Sequence, residues 1–216
     1  MSAVNPDPAA DPAQTVRLVN PANALTVLRL ALVPVFAVVL MREDGTDTTA
    51  RLIAATIFVV AVLTDRFDGE IARKRGLVTE FGKLADPLAD KALTGTALVG
   101  LSLLELLPWW VTTVILVREV GVTLLRFWVI RHGIMPASRG GKLKTLVQAV
   151  AIGLYVLPLS GLLGDVRWWV MLVAVVLTVL TGLDYVARAL TLRQTSERAM
   201  SKRRARQAPA APTTRR

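Results

Sequence analysis

Four aspartates set the chemistry this chain is equipped for. Asp65 and Asp68 stand three residues apart in Thr64-Asp65-Arg66-Phe67-Asp68-Gly69-Glu70-Ile71-Ala72-Arg73. Asp86 and Asp90 stand four apart in Gly82-Lys83-Leu84-Ala85-Asp86-Pro87-Leu88-Ala89-Asp90-Lys91. On helices, each pair shares one face. Carboxylate oxygens without His or Cys suit hard divalent cations, Mg²⁺ or Mn²⁺ rather than zinc. Two such ions held by shared carboxylates clamp both sides of a phosphoryl displacement. Gly69 and Gly82 have no side chain and Ala72 almost none, which leaves room for a ligand against the helix backbones. Arg73 supplies a cation for a phosphate. The competing structural use is a set of Asp–Arg and Asp–Lys pairs bracing a helix hairpin, with Arg66, Lys83 and Lys91 as partners.

The elements that must position these residues read as membrane helices. The chain is 53% hydrophobic, and its charges are crowded between apolar blocks. Six stretches approach the roughly 20 mostly apolar residues that a span requires. They lie near 23–41, 51–74, 82–106, 109–131, 143–163 and 168–190. The fifth is the cleanest, without a charge from Thr145 to Gly164. A soluble bundle with long buried helices is the alternative, which six near-span segments on short links disfavour. The expected class is therefore all-α, a polytopic membrane protein with six transmembrane helices. The second span ends, and the third begins, on the acidic residues. Their short basic link, with Gly76 for a turn, predicts two antiparallel neighbours whose four carboxylates converge at one end. Each carboxylate costs roughly 2.5–3.5 kcal/mol at a bilayer centre and less near the interface. Bound cations offset both that cost and the mutual repulsion.

Charge placement orients the bundle. The net charge is +10. One set of segments holds Arg17, Arg73, Lys74, Arg75, Lys83, Arg131, Arg139, Lys142, Lys144 and a C-terminal tail of further arginines and lysines; the other holds Arg42, Arg51 and Arg167. The positive-inside rule puts both termini, and the carboxylates, in the cytoplasm. Trp109–Trp110 and Trp168–Trp169 each open a span at the opposite interface, where tryptophan is favoured. Three parts are expected: a disordered tail over 1–14, a membrane domain over 15–192, and a basic disordered tail over 193–216. Beside a membrane, that tail is suited to anionic headgroups rather than to nucleic acid. The chain has no cysteine, which excludes disulfides and thiol chemistry, and no cleavable leader is evident at its start.

The pattern D-x₂-D-G-x₂-A-R-x₈-G-x₃-D-x₃-D, from Asp65 to Asp90, resembles the signature of the CDP-alcohol phosphatidyltransferases. Asp65, Asp68, Gly69, Ala72, Arg73, Gly82, Asp86 and Asp90 fill every signature position. The resemblance implies that the four aspartates hold one or two divalent ions, Mg²⁺ or Mn²⁺, on the pyrophosphate of a CDP-lipid. It implies that Gly69, Ala72, Arg73 and Gly82 line the nucleotide, and that Asp90 is the general base on the acceptor hydroxyl. Attack on the lipid-side phosphorus then releases CMP. Whether Asp90 binds metal while acting as base is left open. The resemblance also implies a homodimer in the plasma membrane with its active site facing the cytoplasm.

Further stretches resemble the phosphatidylglycerophosphate synthase branch: Asn20-Pro21-Ala22-Asn23-Ala24-Leu25-Thr26-Val27-Leu28-Arg29, Ala85 to Ala92, Arg118-Glu119, and Ser138 to Thr145. In that branch CDP-diacylglycerol is the donor and sn-glycerol 3-phosphate the acceptor. Arg118, Arg126, Arg139, Lys142, Lys144 and Arg188 are candidates for the acceptor phosphate, which requires cations. Arg139, Lys142 and Lys144 serve equally well as plain positive-inside charges, and Glu119 as a neutralising partner for Arg118. Asn23 and Thr26 suit hydrogen bonds either to the nucleotide or to other helices. An inositol-phosphate-accepting synthase is the alternative within the family. A divalent-cation transporter or an inactive membrane scaffold is the alternative from another class.

Overall fold

The computed structural model describes residues 21–75, 79–130 and 139–207. Within its helices the side chains of 21–22, 66–75, 80, 83–84, 126–130, 139–142, 190 and 192–207 lie outside that description. The expected N-terminal tail, 1–14, also lies outside it. The described residues form α1 (Pro21–Leu40), α2 (Thr48–Arg75), α3 (Glu80–Leu103), α4 (Trp109–Ile130), α5 (Arg139–Val156) and α6 (Leu162–Gln207). A short 3₁₀ turn, Arg42–Gly45, joins α1 to α2. Gly45 takes a left-handed conformation there, with φ of 72°, and a Cβ on it would stand 2.8 Å from the Leu104 side chain. The turn is thereby seated against the far end of α3.

α1 is the centre of the N-terminal half. It runs antiparallel to α2, with Arg29 beside Asp65 and the Phe36 and Phe58 rings 5.9 Å apart. It runs parallel to α3, with Thr26 beside Asp86 and Leu40 against Gly100. The expected antiparallel pair, α2 and α3, do touch, but among the described residues α1 packs far more extensively against both. The reason is polar. α1 carries Asn23, Thr26 and Arg29 on an otherwise apolar helix, and buried polar groups require partners. Carboxylates of both neighbours provide them for Thr26 and Arg29, and the Thr79 hydroxyl for Asn23.

α4, α5 and α6 complete the bundle, with α5 and α6 in close contact and α4 leaning on α6. The apolar core fills the half remote from the aspartates. Phe36, Leu40, Phe58, Leu98, Leu101, Val111, Ile115, Ile152, Val156 and Met171 are all essentially inaccessible there. Outward-facing residues are apolar as well: Val38, Val117, Leu162 and Leu183 are all more than half exposed. That pattern suits a lipid surround better than water.

Three helical segments among the described residues are long and apolar enough to cross a membrane: Asn23–Leu40, Thr48–Asp65 and Leu162–Ala189. α3 carries Asp86, Asp90 and Lys91, and α4 carries Arg118 and Glu119. The apolar part of α5, Leu143–Val156, is short. The uncharged run from Thr145 to Gly164 is thus not one helix. Pro158 cannot continue it, and Arg51 closes its end. Arg51 donates from Nε to the Val156 carbonyl at 3.1 Å, and from Nη2 to the carbonyls of Tyr155 at 2.6 Å and Leu157 at 2.9 Å. Near the same end, Trp110 and Trp168 meet edge to face at 6.1 Å, and the Arg167 guanidinium lies 4.9 Å over the Tyr155 ring. α6 continues to Gln207, into the stretch expected to be a disordered tail from Arg193, whose last residues, 208–216, lie outside the described residues. Ala, Glu, Arg, Lys and Met in that stretch are strong helix formers, and Pro209 follows.

Candidate active site

The site is built at the end where α1 begins, α2 ends and α3 begins. Thr79, in an extended conformation, caps α3: its hydroxyl accepts from the Gly82 amide at 3.0 Å, satisfying one of the helix's orphan donors. The same hydroxyl donates to the Asn23 side-chain oxygen at 2.8 Å. Gly82 lies under this pair. A Cβ there would be 3.1 Å from Asn23 Oδ1 and 3.2 Å from Thr79 Oγ1, and 3.8 Å from Asp86 Oδ2. Gly82 thus permits close approach between helices, in addition to any ligand. One turn on, the Thr26 hydroxyl donates to Asp86 Oδ1 at 2.5 Å. Another turn on, Arg29 Nη1 donates to Asp65 Oδ1 at 2.6 Å. Asn23, Thr26 and Arg29 recur every third position, so one stripe of α1 grips both halves of the acidic motif.

Asp65 is partly exposed, Asp86 half-buried and Asp90 exposed. Asp90 lies within electrostatic reach of Asp65 and Glu119 on one hand and of Lys91 and Lys144 on the other. The donor set suits a hard divalent cation: it is all carboxylate, Asp65 and Asp90 repel each other, and α1 fixes one oxygen each of Asp65 and Asp86. Among the described residues, no three carboxylate or imidazole groups form a complete ligand set. The convergence expected of four aspartates is therefore seen among the described residues as the Asp65–Asp90 approach, with Asp86 tied to the same stripe of α1. Asp68, Gly69, Ala72 and Arg73 ride on the last turns of α2, and their side chains lie outside the described residues.

A second cluster adjoins the first. Glu119, on α4, accepts from Lys91 Nζ at 3.2 Å and from Arg118 Nη1 at 3.1 Å. It also accepts from Lys144 Nζ on α5. Arg118 reaches α6 as well, donating from Nη2 to the Thr181 hydroxyl at 3.0 Å, and its stem packs 3.1 Å from where a Cβ on Gly182 would stand. One carboxylate thus gathers three cations from three helices. Arg118 and Lys144, both proposed from sequence for an anionic ligand, are brought together. Arg188 stands apart: it is exposed and forms a two-point ion pair at 2.9 Å with Asp184, one turn back on α6. Arg126, Arg139 and Lys142 lie outside the described side chains. Three contributors escape sequence reasoning. For Arg29 the signal was available, as the third member of a polar series on an apolar span. For Thr79 it was the threonine three residues before Gly82. For Thr181 there was none, because its hydroxyl also serves its own helix at the Leu177 carbonyl.

Comparison with known proteins shows the family. Residues 19–180 match the family model for CDP-alcohol phosphatidyltransferase. The chain is 60% identical over 174 residues to a probable phosphatidylglycerophosphate synthase of Mycobacterium tuberculosis (strain H37Rv), covering 81% of this chain and 83% of that protein. It is 37% identical over 185 residues to the CDP-diacylglycerol–glycerol-3-phosphate 3-phosphatidyltransferase of Bacillus subtilis (strain 168), covering 78% of this chain and 94% of the relative. A protein of the same description from Salmonella paratyphi A is 35% identical over 183 residues, with coverages of 79% and 94%.

Proposed function

We propose, on the premise that this chain belongs to the CDP-alcohol phosphatidyltransferase family, that it transfers the phosphatidyl group of CDP-diacylglycerol to sn-glycerol 3-phosphate. The products are phosphatidylglycerophosphate and CMP. One observation carries the acceptor assignment: Asp90 lies in the field of Lys144, which Glu119 gathers with Arg118 and Lys91. A proton acceptor beside clustered cations suits an alcohol that carries its own phosphate. The relatives' names point to the same acceptor.

In this reading Asp90 takes the proton from the acceptor hydroxyl. The freed oxygen forms a bond to the lipid-side phosphorus, and the bond from that phosphorus to the CMP oxygen breaks. Gly69, Ala72, Arg73 and Gly82 line the nucleotide. Arg118 and Lys144, with Arg126, Arg139 and Lys142, hold the acceptor phosphate; Arg188, paired with Asp184, is left out of that set. Asn23 and Thr26, whose observed partners are Thr79 and Asp86, shape the nucleotide site through α3. Asp65, Asp68, Asp86 and Asp90 would hold one or two Mg²⁺ or Mn²⁺ ions, which supply charge neutralisation for the departing phosphate. All six helices cross the plasma membrane and both termini are cytoplasmic, in keeping with the basic segments at the site's end. The chain works as a homodimer.

The test is CMP release by the purified protein with CDP-diacylglycerol and Mg²⁺, offering glycerol 3-phosphate, inositol 1-phosphate and serine separately. Release with glycerol 3-phosphate alone is expected. Release only with another acceptor would keep the chemistry and overturn the acceptor.

A further inference from the structure

We propose that Arg29 is a positioning residue for the cation site: it holds the Asp65 carboxylate in the orientation a divalent ion requires. The inference rests on the reading of the aspartates given above. Arg29 is 1% exposed, in a helix interior otherwise suited to lipid. Burying a guanidinium is costly unless it is paired in good geometry. Its observed partner is Asp65 Oδ1 at 2.6 Å, across the α1–α2 interface. Asp65 is itself 39% exposed, so the pair joins a buried cation to a carboxylate that keeps accessible surface.

Stability alone would be served by an apolar residue at position 29, because a buried ion pair is often no better than a hydrophobic contact. The pair makes sense as control of orientation. Asp65 lies on one helix and Asp86 on another, and among the described residues the two helices touch little. α1 is the element common to both, through Arg29 to Asp65 and Thr26 to Asp86. Residues that orient metal ligands through a second hydrogen bond alter metal affinity about 10- to 100-fold when lost.

Two forces act in opposite directions, which makes the proposal testable. A guanidinium beside a cation site repels the cation, so its removal should tighten binding if charge alone matters. If orientation matters more, its removal should weaken binding. Mn²⁺ binding to the purified protein, read by electron paramagnetic resonance without any lipid substrate, separates the two. Arg29→Gln keeps an amide donor on a shorter arm and removes the charge; Arg29→Lys keeps the charge and loses the planar fork. Both should bind Mn²⁺ about 10-fold more weakly than the parent, by the same reasoning, with Lys the milder. Thr26→Val, close to isosteric, removes the hydroxyl that donates to Asp86 and should weaken binding in the same direction. It also keeps the test alive if the Arg29 variants fail to fold. Equal or tighter Mn²⁺ binding in the folded variants overturns the proposal while leaving the reaction assignment standing. Absence of Mn²⁺ binding in the parent would overturn both.

Discussion

Glu119 shows how a single side chain changes the meaning of its neighbours. Arg118, Lys91 and Lys144 would repel one another if the carboxylate among them were absent. Removing one partner of a buried ion pair costs roughly 3 kcal/mol or more. Glu119→Gln is therefore expected to lower the thermal midpoint of the purified protein markedly. The three cations would then lack their internal anion, so inorganic phosphate should restore stability further in the variant than in the parent. Differential scanning fluorimetry with and without phosphate checks both parts. Equal stabilisation of parent and variant would mean that the cluster is closed to external anions, and the acceptor pocket would have to lie elsewhere. Arg188, already satisfied by Asp184 on its own helix, is expected to tolerate replacement with little change in acceptor KM.

At the scale of elements, the bundle has a polar end that binds and an apolar end that holds. Arg51 is the clearest component of the second. Its guanidinium closes α5 by donating to three consecutive carbonyls, Tyr155 to Leu157. Arg51→Ala would leave those groups without their donors inside the fold, at a cost of roughly 3 kcal/mol. The site lies roughly 21 Å away along α2, taking 1.5 Å per residue from Arg51 to Asp65. The expected outcome is a lower midpoint with substrate KM values unchanged at low temperature, measured by CMP release after mild heating. This division also explains what sequence could and could not disclose. The aspartate spacing, the close approach at Gly82 and the positions of most helices were legible from local pattern. Arg51 counted only as one of a few positive charges on the sparse side, because nothing local shows that a residue will cap a helix more than a hundred positions later. The wedge of α1 between α2 and α3 was hidden for the same reason. Link length argues for neighbours, but which faces meet is decided by polar partners distant in sequence. α5 ends before Pro158, inside the uncharged run, and helix propensity carries α6 to Gln207 across a stretch whose charge argues for a tail.

For the whole molecule, the proposed orientation places Asp65, Asp86 and Glu119 at the cytoplasmic face and the Trp110–Trp168 contact at the outer one. The chain has no cysteine, so single introduced thiols report sidedness without background. Arg42→Cys, in the turn after α1, should react with a membrane-impermeant maleimide on intact cells freed of their wall. Thr213→Cys should react only after the membrane is opened. The reverse pattern would invert the molecule and move the site away from the cytoplasmic nucleotide. The α1 stripe carries one more consequence, for biogenesis. Arg29 is synthesised 36 residues before Asp65, and Thr26 precedes Asp86 by 60. At about 5–20 residues per second, that separation from Asp86 lasts about 3–12 s. α1 leaves the ribosome carrying an arginine whose counter-ion does not yet exist, so the insertion machinery has to shelter it until α2 and α3 arrive.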